Sequence, residues 1–388
     1  MNITKKRKII SLYSGIFLVL SLLTAFLPVW LNKALSIDTL VIGLLLGFTG
    51  LVKIISNFFI IKNIKNHTYL NMSLKVLAII MSFIYGVIIV LDYNILTNLI
   101  FILIFFSLLL FSPIIPISET LCLEKSSNFK GFYGKVRLAG SIAFLFGVLF
   151  FGKIIDIFSI TIFPLICFLC LIFLTLSIFF LPKDNSNQPN NIYDNQLKQL
   201  LKRRSILFII FYCSIIQGCH AMYYGFSSIM WYDNGLNYFQ IGLLWGWSVL
   251  AEIFLFFYIG KFNIKKNMVN LLLFCGLISS IRWLFMFMTV NFYILLIIQT
   301  FHFISFALTH YIMIYYIFHH IPKKLRLISN YLYSVLSTGL FMTVLSILSG
   351  VLYSFTNSGM GFLFMSLICF LTVFILFRNK KSSVNVRN

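Results

Sequence analysis

Five side chains able to carry charge stand deep inside long apolar runs of this chain, and any chemistry starts with them. Lys53, Glu252 and Arg282 each lie about 14 residues into a run, roughly 20 Å along a helix rising about 1.5 Å per residue. His220 and His302 reach similar depth in two further runs. A charge at that depth in hydrocarbon costs about 2.5–3.5 kcal/mol on insertion scales, so it faces a partner or a cavity. Glu252 is therefore either paired or able to hold a proton, which makes it a candidate proton carrier. Arg282 cannot shed its charge. It needs an anion, either Glu252 or the carboxylate of a bound solute. Glu119 and Arg137 lie nearer the ends of two other runs, on either side of a short basic hairpin, and pairing would offset the desolvation of both.

Each residue also has a plainer reading. Lys53 can snorkel along its stem to the interface. His220 and His302 can be hydrogen-bonded packing residues, and His310, two turns beyond His302, reads as structural. Cys167-x-x-Cys170 sits in an apolar run without partner ligands, so neither a metal nor a disulfide is expected. His319-His320 beside Lys323-Lys324 reads as a solvated turn. The chain has no GxxxxGK[ST] loop and no HExxH, which disfavours an ATP-driven pump and an intramembrane enzyme.

The elements that must position these residues follow from composition. Of 388 residues, 60% are hydrophobic and 10% charged, and mean hydropathy is +0.99. A soluble chain is about a quarter charged, so a soluble enzyme or a nucleic-acid binder is excluded despite the net charge of +21. Apolar runs fall near 9–31, 39–61, 70–91, 95–121, 136–155 and 158–181, then near 205–230, 239–260, 268–289, 291–318, 327–353 and 358–377. A spanning helix needs roughly 20 apolar residues, and spanning backbone must satisfy its polar groups internally. The fold class is an all-α membrane protein of twelve spans. The first run is too long for a signal peptide and lacks a cleavage site, so it reads as span 1.

The division expected is a six-helix bundle over 1–182, a linker over 183–204 and a second bundle over 205–388. Of the 30 Lys and Arg, 25 fall on one side: the N-terminus, the segments after even-numbered spans, and the C-terminus. By the positive-inside tendency that side, with both termini, is cytoplasmic. Ile42-Gly43-Leu44-Leu45-Leu46-Gly47 opens span 2, and Ile241-Gly242-Leu243-Leu244-Trp245-Gly246 opens span 8 at an offset of 199. Parallel six-helix repeats of this kind belong to secondary transporters. The same offset carries Lys53 onto Glu252, which suggests a pair of opposite charges between the halves.

Several motifs are more specific. Tyr133-Gly134-Lys135-Val136-Arg137-Leu138-Ala139-Gly140-Ser141 resembles the start of span 5 in the phenylpropionate permease group of the major facilitator superfamily. Gln217-Gly218-Cys219-His220-Ala221-Met222-Tyr223-Tyr224-Gly225-Phe226-Ser227 resembles its span 7. Leu244-Trp245, Ala251-Glu252, Arg282-Trp283 and Gln299-Thr300-Phe301-His302 continue the likeness along the chain. The group is a distant relative of lactose permease. That resemblance implies that Glu119 and Arg137 occupy the places of a solute-binding acid and arginine. It implies that Glu252, Arg282 and His302 occupy the places of coupling residues. Two departures stand out: Ser305 sits where lactose permease carries its proton-releasing glutamate, and Lys62-Asn63-Ile64-Lys65-Asn66-His67 replaces the superfamily's usual loop between spans 2 and 3.

The resulting expectation is a proton-coupled symporter of a bacterial inner membrane, working by alternating access on an aromatic monocarboxylate such as 3-phenylpropionate. Its partners are the small solute, protons and the lipid bilayer, with no nucleic acid, and it works as a monomer. It uses no cofactor beyond the proton gradient and no metal. Glu252, Glu119 and His302 are the expected proton-coupling residues. Arg137, Arg282, Glu119, His220, Tyr223 and Tyr224 are the expected solute site, and Lys53 a structural charge. The rival readings are a sugar or nucleoside symporter on the same fold and a non-transporting membrane receptor.

Overall fold

A computed structural model describes residues 3–63, 67–93, 95–124, 129–181, 194–258, 264–356 and 358–378. Twelve of its helical segments are long and apolar enough to cross a membrane. They run Arg7–Ala25, Thr39–Ser56, Tyr69–Val90, Thr97–Glu119, Lys135–Phe158 and Ile160–Phe179, then Arg204–Asp233, Tyr238–Tyr258, Met268–Met288, Phe292–His320, Lys323–Thr356 and Met360–Arg378. These are spans 1 to 12, and each coincides with an apolar run of the sequence. Their outward faces carry large exposed apolar side chains such as Phe83, Val90, Phe257 and Phe377. In water such a surface would drive association, whereas in a bilayer it is solvated by lipid. Linker residues 182–193 lie outside the described residues. So do Lys65, Lys125, Lys183, Lys261, Lys380, Lys381 and Arg387, seven of the basic residues that carry the orientation.

Four spans are interrupted, each at an identifiable place. Span 4 breaks between Phe111 and Ile114, where Pro113 lacks the N–H to continue the ladder. Span 7 is two helices, Arg204–Gly218 and Ala221–Asp233, with Cys219 and His220 in the break. Spans 10 and 11 contain wide π-turns at Phe303–Leu308 and Val335–Phe341. Such turns concentrate at functional sites because they re-aim side chains. Span 7 closes with Gly235 at φ +89°. Leu236 N–H donates to Trp231 O, and Gly235 N–H to Tyr232 O, both at 3.0 Å. A side chain at Gly235 would strain this helix stop.

The chain's contacts group into two compact units. The first comprises Met1–Asp38, Val52–Asn190 and Trp231–Gly246, and the second Thr39–Leu51, Asn191–Met230 and Trp247–Asn388. The grouping follows from close backbone approaches. In the second unit a Cβ on Gly43 would lie 2.7 Å from Gly350 Cα. In the first, Gly242 abuts the Val148 carbonyl, and the Asp156 carboxylate accepts from Tyr238 N–H at 2.8 Å and Phe239 N–H at 2.9 Å. The sequence echo at offset 199 therefore has a packing reason: both of its leading glycines meet a neighbouring helix without room for a side chain.

Candidate functional site

The second unit holds a buried polar cluster built from spans 7 to 10. Arg282 of span 9 is 1% exposed. Its guanidinium stacks over the Tyr223 and Trp283 rings, 4.9 and 4.4 Å from their centroids. Nη2 donates to Gln299 Oε1 at 2.7 Å, while Nη1 donates to Ser305 Oγ and to His302 Nδ1, each at 3.0 Å. Because the guanidinium has no lone pair, His302 Nδ1 must accept. The hydrogen of His302 therefore sits on Nε2, and the ring is neutral. That Nε2–H points at Glu252 Oε1, 2.9 Å away. Glu252 and Arg282 are thus joined through one neutral imidazole. Among the described residues no carboxylate lies within ion-pair distance of Arg282.

His302 and Ser305, three residues apart, share one helix face where the wide turn of span 10 begins, and both meet Arg282. Gln217 of span 7 donates to Phe306 O at 2.8 Å, and Thr309 Oγ1 to Ile304 O at 3.2 Å, so carbonyls of the turn are occupied. His220, in the break of span 7, directs Nδ1 at the Ile216 and Gln217 carbonyls, both at 3.2 Å. Its Nδ1 accordingly carries the hydrogen, and Nε2 lies 3.4 Å from Ser305 Oγ, whose single hydrogen also faces the His302 carbonyl at 3.3 Å. The two imidazoles meet edge to face at 5.4 Å. Tyr223 is fully buried with its hydroxyl 3.4 Å from Ser248 Oγ, while Tyr224 is half-buried and stacks on His220.

The first unit holds a second, more open cluster. Arg137 Nη1 donates to Glu119 Oε1 at 3.0 Å, and the two side chains are 43% and 35% exposed. The Arg137 guanidinium also lies over the Phe17 ring at 5.6 Å. Lys53 of span 2 sits in the field of Glu119. Lys53 and Glu252, matched by the repeat, belong to different units.

The residues expected to carry the proton, the solute or the structural charge thus fall in two clusters: Glu252, Arg282, His302, His220, Tyr223 and Tyr224 in one, Glu119, Arg137 and Lys53 in the other. Of the two anions expected for Arg282, Glu252 or a solute carboxylate, Glu252 reaches it through the His302 imidazole. Gln299 and Ser305 stood out in the sequence only as part of a motif and as a departure from lactose permease, and their role as partners of Arg282 was missed. Both are uncharged, and although a spacing of three sets each beside His302 on the helix, nothing in the sequence ties that face to Arg282. His319 and His320 are the last turn of span 10, stacked on Tyr315 and Tyr316, and not a loop. His310 meets the Tyr333 hydroxyl at 3.2 Å. Among the described residues no three potential ligands converge on a metal position.

Twelve apolar helices, repeated openings of spans 2 and 8, and broken spans lined with buried charge accord with a multi-pass membrane transporter of the major facilitator type, and the family match shows it to be one. The chain belongs to the MFS_1 like family, whose model matches residues 8–365. It is 28% identical over 367 residues to the probable 3-phenylpropionic acid transporter of Escherichia coli K12, covering 93% of each chain. Among solved structures it resembles a variant of the nucleoside transporter NupG with a TM-score of 0.79. The identity there is 12%, over 96% of this chain and 99% of that one. It also resembles the POT family transporter PepTSo with a TM-score of 0.75, at 9% identity over 100% and 99% of the two chains.

Proposed function

We propose that this transporter is a proton-coupled importer of a small aromatic monocarboxylate such as 3-phenylpropionate. The observation that carries this reading is the charge balance of the two clusters. In the second unit Arg282 and ionised Glu252 sum to zero, so the cluster is complete without a solute. In the first unit Glu119 pairs with Arg137 and also lies in the field of Lys53, so two cations share that acid, and a monocarboxylate supplies a second anion. Arg137, half in the open, receives the solute's carboxylate. Arg282, shielded by Tyr223 and Trp283, instead acts on the proton site.

Glu252 is that proton site. Its carboxylate is 17% exposed and already accepts a hydrogen bond, so a proton arriving there removes the anion without rearranging His302. His302 cannot take the proton while Arg282 donates to Nδ1. Protonation leaves Arg282 without its counter-charge, and this imbalance drives the step that exchanges access to the two sides. The protein works as a monomer in a bacterial inner membrane with both termini in the cytoplasm, in keeping with the distribution of its basic residues. The name of the Escherichia coli relative supports the substrate class.

A second reading rests on the Glu119–Arg137 ion pair. An acid and an arginine already paired and open to solvent also suit a neutral, hydroxyl-rich solute, such as a sugar or nucleoside. Uptake of labelled 3-phenylpropionate into proteoliposomes under an imposed inward proton gradient separates the two. Accumulation that collapses with the gradient and resists competition by lactose and uridine supports the monocarboxylate. Competition by uridine or lactose with no accumulation of 3-phenylpropionate overturns it.

A further inference from the structure

Arg282 is held by three acceptors, His302 Nδ1, Ser305 Oγ and Gln299 Oε1, and all three are uncharged. The shortest of these contacts is to Gln299, at 2.7 Å. Gln299 is fully buried, and its own amide reaches Met286 Sδ at 3.7 Å, so its orientation is set from both ends. A glutamate would fill the same space and would bind Arg282 more strongly. We infer that Gln299 is a positioning residue whose neutrality reserves the charge of Arg282 for Glu252. An acid on the Nη2 arm would take up the guanidinium's field locally, and His302 would then relay little of it to Glu252. Ser305 has the same part on the Nη1 arm: it anchors the guanidinium without neutralising it. This inference rests on the reading of Glu252 as the proton site.

Among the described residues, the charged and titratable groups around Glu252 include His302 of span 10, Arg282 of span 9, and Tyr223, Tyr224 and His220 of span 7. A substitution that redirects Arg282 therefore changes the strongest cationic influence on the carboxylate. Infrared titration of the protonated-carboxyl band in purified protein reads this without any solute. The Glu252→Gln variant identifies which part of the band belongs to Glu252, and Gln299→Glu/Glu252→Gln does the same in the second background. In Gln299→Glu the Glu252 midpoint moves to higher pH by roughly one unit, the scale of effect of a nearby opposite charge. Gln299→Met removes the hydrogen bond without adding charge and produces no such rise. Ser305→Asp, with the acid on the other arm, moves the midpoint in the same direction as Gln299→Glu and serves if that variant does not fold. Equal shifts in Gln299→Glu and Gln299→Met, or no shift in either acidic variant, overturn the role of Gln299. A band unchanged by Glu252→Gln overturns the reading of Glu252 itself, and the inference with it.

Discussion

A double-mutant cycle between Glu252 and Arg282 measures whether the imidazole bridge makes them one electrostatic unit. Glu252→Gln keeps an oxygen to accept from His302 Nε2–H, so the substitution removes charge and little else. Turning a charge-assisted hydrogen bond into a neutral one forfeits about 1 kcal/mol. Leaving a buried arginine uncompensated raises the total to about 3–5 kcal/mol. Arg282→Gln leaves Glu252 as the unmatched charge, but that carboxylate is partly solvated, so the cost falls to about 2 kcal/mol. The double variant contains neither charge, and its cluster is a neutral hydrogen-bonded network. Its destabilisation should therefore be about 2 kcal/mol less than the sum of the two single effects, within the range seen for residues sharing one network. Equilibrium unfolding in mixed micelles, followed by the fluorescence of tryptophans that include Trp283 beside the cluster, supplies all four corners. Additivity to within about 0.5 kcal/mol would refute the coupling of the two charges through His302.

Three further outcomes follow from the packing and the open cluster. Gly43→Ala places a methyl 2.7 Å from Gly350 Cα and 2.9 Å from Ser346 O, and should destabilise by about 1–3 kcal/mol as an overpacked contact, measured as a lowered unfolding midpoint. Asp156→Ala removes the acceptor for Tyr238 N–H and Phe239 N–H. It should cost about 0.5–2 kcal/mol, as loss of a helix N-terminal partner does, with Asp156→Asn, which keeps only one of the two acceptor oxygens, recovering part of it in the same assay. Arg137→Gln should raise KM for 3-phenylpropionate at least tenfold while leaving stability within about 1 kcal/mol, because the Glu119 pair is solvent-screened.

The twelve spans were readable from the chain because lipid imposes a length and a composition on each crossing helix. The same constraint made Glu252, Arg282, His220 and His302 conspicuous: polar groups at matched depth in apolar runs needed one another. Their partners Gln299 and Ser305 were not readable in that role, since a polar uncharged residue in a span is unremarkable. Span 10 also widens at Phe303–Leu308, just after His302, and no proline or glycine within that turn announces it. Depth alone did not reveal that Arg282 is sealed behind Tyr223 and Trp283 while Arg137 stays open, because exposure depends on which face each span turns inward. The repeated Ile-Gly openings of spans 2 and 8 were visible as an echo, but the reason for their glycines, contact with Gly350 and Val148, appears only with the helices assembled.

The central claim is that Glu252 carries the coupled proton, and transport by Glu252→Gln in proteoliposomes tests it most directly. Glutamine mimics the protonated carboxyl and keeps the His302 contact. Solute exchange across the membrane should persist, while accumulation against a gradient under an imposed pH difference should disappear. Undiminished uphill accumulation by Glu252→Gln would contradict the account.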